Sequence, residues 1–291
     1  TLPRARRSAV ELKRWLKSPE SHPANLSAGR TFVELTRRQP RPDVCSADGY
    51  ARIEEIGHAL TEAARGLHVG YGWHGQWGIF GKEYNGTKTR FLHEWLCKYA
   101  AKRPIANICE LGFMAGHSAM LFLETVPTAR VLSFDMYDNR WSLPQGLLME
   151  HAYGTRFKLV PGLSNETVPK WAKSNPDFRC DALFVDGAKH LEARLEDLRN
   201  FKALTSPGAP LFYDEATTSE CVRGEAPEHK CGGHYGATMA YNRAARQGWV
   251  KVVDCRWSPM DLERLPNGQV SRRPVTSRDG SCVAEFVYNQ A

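Results

Sequence analysis

From Ile105 onward the sequence alternates short apolar runs with segments of helical spacing, and this alternation is the strongest constraint on the fold. The apolar runs lack polar alternation, as expected of strands that are buried on both faces of a sheet. Helices between successive strands indicate parallel pairing through right-handed crossovers. The pattern therefore predicts a doubly wound, Rossmann-like α/β fold with a seven-stranded sheet. The predicted strands cover residues 107–111, 129–135, 157–161, 181–186, 209–214, 249–255 and 281–288.

The two ends of the chain depart from this alternation. The last two predicted strands are joined by a long connection without helical spacing, which predicts an antiparallel pair at one edge of the sheet. Before the first strand, helical spacing occurs at Ile53–Arg65 and Thr87–Ala101, separated by Leu67–Phe80, a segment dense in glycine, histidine and aromatic residues. We therefore predict an N-terminal helical and loop extension over residues 1–104 and a sheet domain over residues 105–291.

Charge and hydropathy restrict the partners of the chain. The formal net charge is +7, and basic residues crowd the start, where a solvated stem is the simplest interpretation. We find no recognition-helix, zinc-finger or RNA-binding signature, so no nucleic-acid partner is expected. No run of about 18 apolar residues predicts a membrane span. The chain begins at Thr1 rather than Met, which is compatible with a leader or anchor that has been removed.

The cysteines and glycosylation motifs bear on the cellular compartment. The chain has 8 cysteines without a C-x-x-C pair, which argues against a structural zinc site. Cys221 and Cys231 bracket a polar loop and are predicted to form a disulfide, whereas Cys109 lies in an apolar strand and is predicted to be a free thiol. N-x-S/T sequons begin at Asn25, Asn85 and Asn165. These features favour the secretory pathway, with the Golgi lumen as the expected place and the cytoplasm as the alternative.

A glycine-containing turn follows the first predicted strand. The segment Glu110–Ser118 reads E-L-G-F-M-A-G-H-S, and glycines at a strand end allow close approach of a ligand to the backbone. The next strand ends in Asp135, where a carboxylate can bind ribose hydroxyls. A nicotinamide dinucleotide requires G-x-G-x-x-G for its pyrophosphate. The G-x-x-x-G spacing, with Phe113 and Met114 in the gap, favours a nucleoside ligand without a pyrophosphate.

The segment E-L-G-F-M-A-G-H-S-A resembles the first motif of class I methyltransferases. It is most similar to the cation-dependent O-methyltransferases, which include the catechol, caffeoyl-CoA and macrolide-sugar enzymes. The resemblance implies S-adenosylmethionine as the methyl donor, with the methionine part held at the glycine turn, the ribose at Asp135 and the adenine near Pro161–Ser164. The implied donor-binding residues are Glu110, Gly112, Gly116, Ser118, Asp135, Gly162, Ser164 and Asp186.

Carboxylates end the fourth and fifth predicted strands. Asp186 follows strand four, and Asp214 and Glu215 follow strand five, so the three side chains are expected to converge at one edge of the sheet. Like charges so close repel each other unless a cation or a proton is shared. Oxygen ligands of this kind suit Mg²⁺ or Mn²⁺. Asp186 and Asp214 match the metal ligands of the family, whereas Glu215 stands where the family has asparagine.

Two residues compete for the role of catalytic base. A divalent cation lowers the pKa of a bound hydroxyl, whose proton a base then accepts before the oxygen attacks the sulfonium methyl group. Lys189 matches the lysine that serves as base in the catechol and caffeoyl-CoA enzymes, and His190 follows it directly. The aromatic segment Leu67–Phe80 is expected to cover the site, and His234 and Tyr235 are candidate acceptor contacts.

The predicted function is a divalent-metal-dependent O-methyltransferase that acts on a sugar hydroxyl of a glycan or glycoside. A small phenol is the alternative acceptor. Two other classes stay open at this point, namely a nicotinamide-dependent oxidoreductase, which would need a third glycine in the turn, and a non-catalytic glycan-binding module, which the glutamate at position 215 would suit.

Overall fold

The computed structural model describes residues 23–38, 43–66, 87–136, 142–231, 236–257, 262–264, 270–272 and 280–288. The helices in chain order are α1 (Pro23–Arg37), α2 (Ala47–Gly66), α3 (Thr87–Ala100), α4 (His117–Thr125), α5 (Ser142–Tyr153), α6 (Ser164–Ser174), α7 (Leu191–Leu204), α8 (Ser219–Val222) and α9 (Ala237–Arg246). The strands are β1 (Asn107–Leu111), β2 (Arg130–Asp135), β3 (Phe157–Pro161), β4 (Ala182–Val185), β5 (Pro210–Ala216), β6 (Val250–Trp257), β7 (Leu262–Arg264), β8 (Val270–Arg272) and β9 (Gly280–Phe286).

Seven of these strands form one sheet in the order β3-β2-β1-β4-β5-β9-β6. Strands β1 to β5 are parallel to their neighbours, and β9 runs antiparallel between β5 and β6. This arrangement confirms the doubly wound sheet and the antiparallel pair at one edge. The order reverses between β1 and β4, so the carboxyl ends of β1, β2, β4 and β5 surround the crevice in which such sheets bind ligands.

Helices cover both faces of the sheet and produce two apolar cores. One core combines the sheet with α1 to α5 and includes Phe32, Leu60, Phe91 and Met120, all fully buried. The other lies under α6, α7 and α9. Helices that precede β1 therefore pack on the same sheet face as the crossover helices α4 and α5, which places the start of α3 close to the carboxyl ends of the central strands. The boundary between residues 104 and 105 stays a prediction.

The structure adds three elements that the sequence patterns did not reveal, namely α1, the four-residue helix α8 and the hairpin β7–β8. Helix α1 lies in a segment whose polar and basic residues mask a short apolar face, of which Phe32 and Leu35 are buried. The hairpin β7–β8 interrupts the long connection before β9 with strands of three residues each, which are too short to give a period-two pattern. The aromatic segment Leu67–Phe80 lies outside the described residues.

All eight cysteines form disulfides. The pair Cys221–Cys231 confirms the prediction, and the others are Cys45–Cys97, Cys109–Cys180 and Cys255–Cys282. The prediction of a free thiol at Cys109 is wrong because Cys180 lies just before β4, the strand that pairs with β1. Within the described residues, no helix is both long and apolar enough to cross a membrane.

Candidate functional site

The turn after β1 is shaped by two glycines with positive φ. Gly112 has φ 94°, and a Cβ atom there would lie 2.3 Å from the carbonyl oxygen of Asp186. Gly116 has φ 85°, caps α4, and leaves no room for a Cβ beside the Phe113 ring at 2.8 Å. Both positions therefore require glycine, one for the approach of the turn to β4 and the other for the entry into α4.

The two bulky residues between these glycines, Phe113 and Met114, are accommodated in different ways. Phe113 is buried and packs on Phe157, with 5.4 Å between the ring centroids, so its ring belongs to the core below the turn. Met114 has φ 48°, an uncommon conformation for a residue with a side chain. Their backbone N–H groups point across the turn at the end of β2.

Asp135 ends β2 and receives those two N–H groups. Its Oδ2 accepts hydrogen bonds from the backbone nitrogens of Phe113 at 2.9 Å and Met114 at 3.1 Å. The carboxylate is thus fixed beside the turn, where the sequence predicted a ribose contact. Two large apolar side chains are exposed at the same edge, Met136 after β2 (55% exposed) and Leu163 after β3 (48% exposed). They offer an apolar surface next to the carboxylate.

Glu110 and Ser118 meet beneath the turn. Glu110 is fully buried in β1 and accepts hydrogen bonds from the hydroxyls of Ser118 and, at 2.5 Å, Ser133. Burial raises the pKa of the Glu110 carboxyl to about 8, although both hydroxyls favour its ionised form. At neutral pH this carboxyl is therefore mostly protonated, and a positively charged ligand would favour its ionisation.

The turn after β3 contains the remaining donor-binding residues predicted from the sequence. Gly162 has φ 130°, and Ser164 begins α6. The Ser164 hydroxyl donates to Oδ1 of Asp197 in α7 at 2.6 Å, so it ties two helices together. Burial raises the pKa of Asp197 to about 6. Contacts of Gly162 and Ser164 with a donor stay predictions.

Asp186, which follows β4, and Glu215, near the end of β5, come together as the sequence predicted and are joined by Lys189. Its Nζ lies 2.5 Å from Oδ1 of Asp186 and 2.8 Å from Oε1 of Glu215. Asp214 lies next to Glu215 on β5, and Glu215 has φ 62°, a backbone conformation that costs energy for a residue with a Cβ. Asp186, Asp214 and Glu215 are hereafter called the acid cluster.

Two further cations that the sequence analysis missed bind this cluster. Lys88, the second residue of α3, forms an ion pair with Oδ2 of Asp214. Arg194 of α7 is fully buried and lies 3.4 Å from Oε2 of Glu215. Together with Lys189, three cationic side chains of the described residues contact these carboxylates.

Arg194 also holds the backbone around the cluster. It donates to the carbonyl oxygens of Ala188 at 2.6 Å and Val185 at 2.7 Å, and to the hydroxyl of Tyr241 at 2.8 Å. Tyr241 stacks on Tyr213 of β5, with 3.8 Å between ring centroids, and its hydroxyl donates to the carbonyl oxygen of Asp214 at 2.9 Å. The ends of β4 and β5 are thus fixed from α7 and α9.

Burial and the charges act against each other in the acid cluster. Burial raises the pKa of Asp186, but Lys189 and Lys88 outweigh it and lower the value to about 2. For Asp214, burial and the neighbouring Asp186 prevail over Lys88 and raise the pKa to about 7. Burial lowers the pKa of Lys88 and Lys189, but the carboxylates outweigh it and raise both above the ordinary value. Both lysines are therefore ammonium groups at neutral pH.

The two predicted bases lie in different environments. Lys189 contacts the acids, and its raised pKa makes it a cation rather than a ready proton acceptor. His190 is exposed at the N-cap of α7, and in the described part of the chain no hydrogen bond joins its ring to the acids. His234 and Tyr235 fall outside the described residues.

The predicted metal ligands can be tested for fit against these contacts. The acid cluster supplies the hard oxygen ligands that Mg²⁺ and Mn²⁺ prefer. Each carboxylate already binds a cationic side chain, however, and no set of three or more Asp, Glu, His or Cys side chains within the described ranges is arranged to hold a metal ion. As these side chains stand, they do not fit a divalent cation, and the metal requirement stays a prediction.

Comparisons with known proteins support the resemblance stated above. Residues 109–216, from β1 to the last residue of β5, match a family model described as a methyltransferase domain. No curated protein matches the chain significantly. An O-methyltransferase from Bacillus cereus, solved in complex with SAH, superposes with a TM-score of 0.52 at 13% sequence identity, covering 90% of this chain and 100% of that one. Cofactor-bound Rv0187 from MTB superposes with a TM-score of 0.51 at 18% identity, covering 87% and 100%.

Proposed function

We propose that this chain contains a class I methyltransferase domain and that it transfers the methyl group of S-adenosylmethionine to a hydroxyl oxygen. The observation that carries the proposal is the turn Gly112–Gly116, whose N–H groups bind Asp135 directly above the buried Glu110. Both structural relatives described above were solved with a bound cofactor, and the Bacillus cereus protein is an O-methyltransferase.

The donor side of the site suits a ligand that carries positive charge. Asp135 is positioned for the two ribose hydroxyls, and exposed Met136 and Leu163 provide an apolar surface for the adenine. Glu110 lies beneath the turn, where the ammonium of the methionine part would favour its ionised form. A pyrophosphate, by contrast, is negatively charged and would be repelled by carboxylates on β1 and β2. This arrangement favours adenosylmethionine over a nicotinamide dinucleotide.

Methyl transfer places specific demands on the neighbouring acid cluster. The acceptor oxygen forms a bond to the methyl carbon while the carbon–sulfur bond breaks, S-adenosylhomocysteine leaves, and the hydroxyl proton is released. Positioning and exclusion of water contribute most, because nucleophile and donor approach with opposite charges. Lys189, held as a cation by Asp186 and Glu215, can stabilise the developing oxyanion. It has to lose its own proton before it can act as a base, so Lys189 and His190 stay alternative bases.

We infer that the acceptor is a sugar hydroxyl of a glycan or glycoside, with a small phenol as the alternative. The aromatic residues of Leu67–Phe80 are suited to stack on either acceptor. Four disulfides involving every cysteine favour an oxidising compartment, which supports the secretory pathway and the Golgi lumen. Asn165 is exposed in the first turn of α6, as a glycosylated asparagine must be.

The first experiment measures donor binding and turnover separately. We expect calorimetry to detect adenosylmethionine binding and labelled methyl groups to appear on a hydroxyl acceptor from a panel of glycans and phenols. Asp186→Asn and Asp214→Asn should abolish turnover while donor affinity is largely kept, because the acid cluster serves the acceptor. Unchanged turnover in both variants would exclude a role for these acids. Donor binding without transfer to any acceptor would favour a binding module, and NAD(P) binding would favour an oxidoreductase.

A divalent cation is the part of the sequence prediction that needs its own test. Turnover is measured after dialysis against a chelator and again after addition of Mg²⁺ or Mn²⁺. Loss and recovery of turnover would support Asp186, Asp214 and Glu215 as ligands. If the chelator does not change turnover, the negative charge of the acid cluster is balanced by cationic side chains of the chain and not by a metal ion.

A further inference from the structure

We propose that Lys88 is a built-in cation of the acid cluster, which competes with divalent metal ions for Asp214 and makes them dispensable for acceptor binding. The proposal rests on the proposed function and extends it to a residue outside the domain matched by the family model. Lys88 is a positioning residue in this proposal, since it acts through Asp214.

Several contacts hold Lys88 at the acid cluster. Its Nζ forms an ion pair with Oδ2 of Asp214 and lies 5.6 Å from the ring centroid of Phe184 in β4. The helix that carries it is anchored one turn further by Phe91, which is fully buried in the core under the sheet. Before it, Thr89 hydrogen-bonds the hydroxyl of Tyr50 in α2 at 2.7 Å. The ammonium group thus reaches the acid cluster from a rigid helix rather than from a mobile surface loop.

The position of Lys88 in its helix is unusual. A helix N-terminus carries partial positive charge, so a lysine in the first turn is unfavourable in isolation. Helix α3 has no acidic residue in that turn to offset it. The carboxylate of Asp214 supplies the compensation, and the placement of Lys88 is therefore explained by the acid cluster rather than by helix stability.

The charges also disfavour a metal ion. Among the described residues, Lys88, Lys189 and Arg194 match the three carboxylates in number, so a divalent ion added to these six side chains would bring two further positive charges into a largely buried site. Such an excess is costly where water is scarce. Removal of Lys88 alone leaves the Asp214 carboxylate without its ion-pair partner. A divalent cation such as Mn²⁺ then finds an oxygen ligand there and is attracted by its negative charge.

The experiment compares Mn²⁺ binding to the wild-type chain with binding to Lys88→Met, using electron paramagnetic resonance of free Mn²⁺ and calorimetry. We expect Lys88→Met to bind Mn²⁺ at least about tenfold more tightly than the wild-type chain, which corresponds to 1.4 kcal/mol or more. Lys88→Arg, which keeps the charge, should bind no more tightly than wild type. The double variant Lys88→Met, Asp214→Asn should lose the gain.

The matched control is Lys98→Met, ten positions along the same helix. Lys98 is exposed, and its Nζ lies 4.2 Å from the Trp95 ring centroid. Like Lys88, it lies on α3 and contacts an aromatic ring, but it forms no ion pair with the acid cluster. It should leave Mn²⁺ affinity unchanged. Adenosylmethionine affinity is measured for every variant, since absent donor binding would refute the proposed function without altering the Mn²⁺ result.

Two results would overturn the proposal. One is tight Mn²⁺ binding by the wild-type chain that Lys88→Met does not strengthen. The other is wild-type turnover that a chelator abolishes and Mn²⁺ restores. The second is measured on the wild-type chain alone, so it decides the question even if Lys88→Met fails to fold. Lys88→Gln provides a second neutral variant for the first.

Discussion

The two halves of the site bind their carboxylates in opposite ways. On the donor side, Glu110 accepts hydrogen bonds from two hydroxyls, and Asp135 accepts hydrogen bonds from two backbone N–H groups. On the acceptor side, the acid cluster is held by full positive charges from Lys88, Lys189 and Arg194. The donor side therefore holds one buried carboxyl, Glu110, whose ionisation a cationic ligand would favour, whereas the carboxylates of the acid cluster already form ion pairs.

This difference indicates how one sheet edge can serve two ligands of unlike charge. A sulfonium ligand with an ammonium group gains where a carboxyl such as Glu110 can become ionised beside it. A neutral hydroxyl acceptor gains most where charges are balanced and fixed, because an oxyanion that develops there finds ammonium groups already in position. The predictions that follow test each half separately.

The largest effect is expected from Arg194→Met. In a buried site, the substitution removes one cationic partner of Glu215 and one hydrogen-bond donor from each of the carbonyl oxygens of Val185 and Ala188. We expect the free energy of unfolding to fall by about 3–5 kcal/mol, measured by denaturant titration. Arg243→Met is the control, since Arg243 also binds two carboxylates but is partly exposed. A loss of at most about 1 kcal/mol is expected there, and equal losses in both variants would contradict the distinction between buried and exposed charge.

An intermediate effect is expected from Asp135→Ala. The variant removes the proposed ribose contact and the acceptor that binds the N–H groups of Phe113 and Met114. Adenosylmethionine affinity should fall by about 1–3 kcal/mol, the usual cost of lost hydrogen bonds to a charged acceptor. Calorimetry measures this change, with Asp214→Asn as the variant that should keep donor affinity. If both variants lost affinity equally, the two halves would not be separate.

The smallest effect is a proton released on donor binding. Glu110 has its pKa raised to about 8 by burial, so it is mostly protonated at pH 7 in the free chain. An ammonium group beside it favours the ionised form, and its proton then passes to the buffer. Calorimetry at pH 7 in buffers with different ionisation enthalpies should detect release of somewhat less than one proton, which vanishes at pH 9. Release that persists in Glu110→Gln would assign the proton to another group.

The sequence predicted the donor half better than the acid half for a physical reason. Glu110, the glycines and Asp135 lie on two adjacent strands, so local spacing and strand order place them. The cations of the acid cluster come from α3 and α7, and whether Lys88 or Arg194 faces the cluster depends on how those helices dock on the sheet. Apolar periodicity locates a helix, but it does not identify which polar side chain of that helix reaches the site at the edge of the sheet.

The same limit explains the cysteines. Cys221 and Cys231 close a short local loop that the sequence reveals. Cys109 and Cys180 meet only because β1 and β4 are neighbours in the sheet, although β2 and β3 lie between them in the sequence. Helix α1 was missed because its polar residues conceal the apolar face that packs on α2 and α5.

Both sulfur atoms of the Cys109–Cys180 pair belong to residues with no exposed surface. A mild reductant added to the native protein has no path to them, while the same reagent present during synthesis meets an open chain. The redox state of this pair is therefore set in the compartment where translation and folding take place, and it is kept after folding. Mass spectrometry of alkylated protein from the source cell measures that state even after purification.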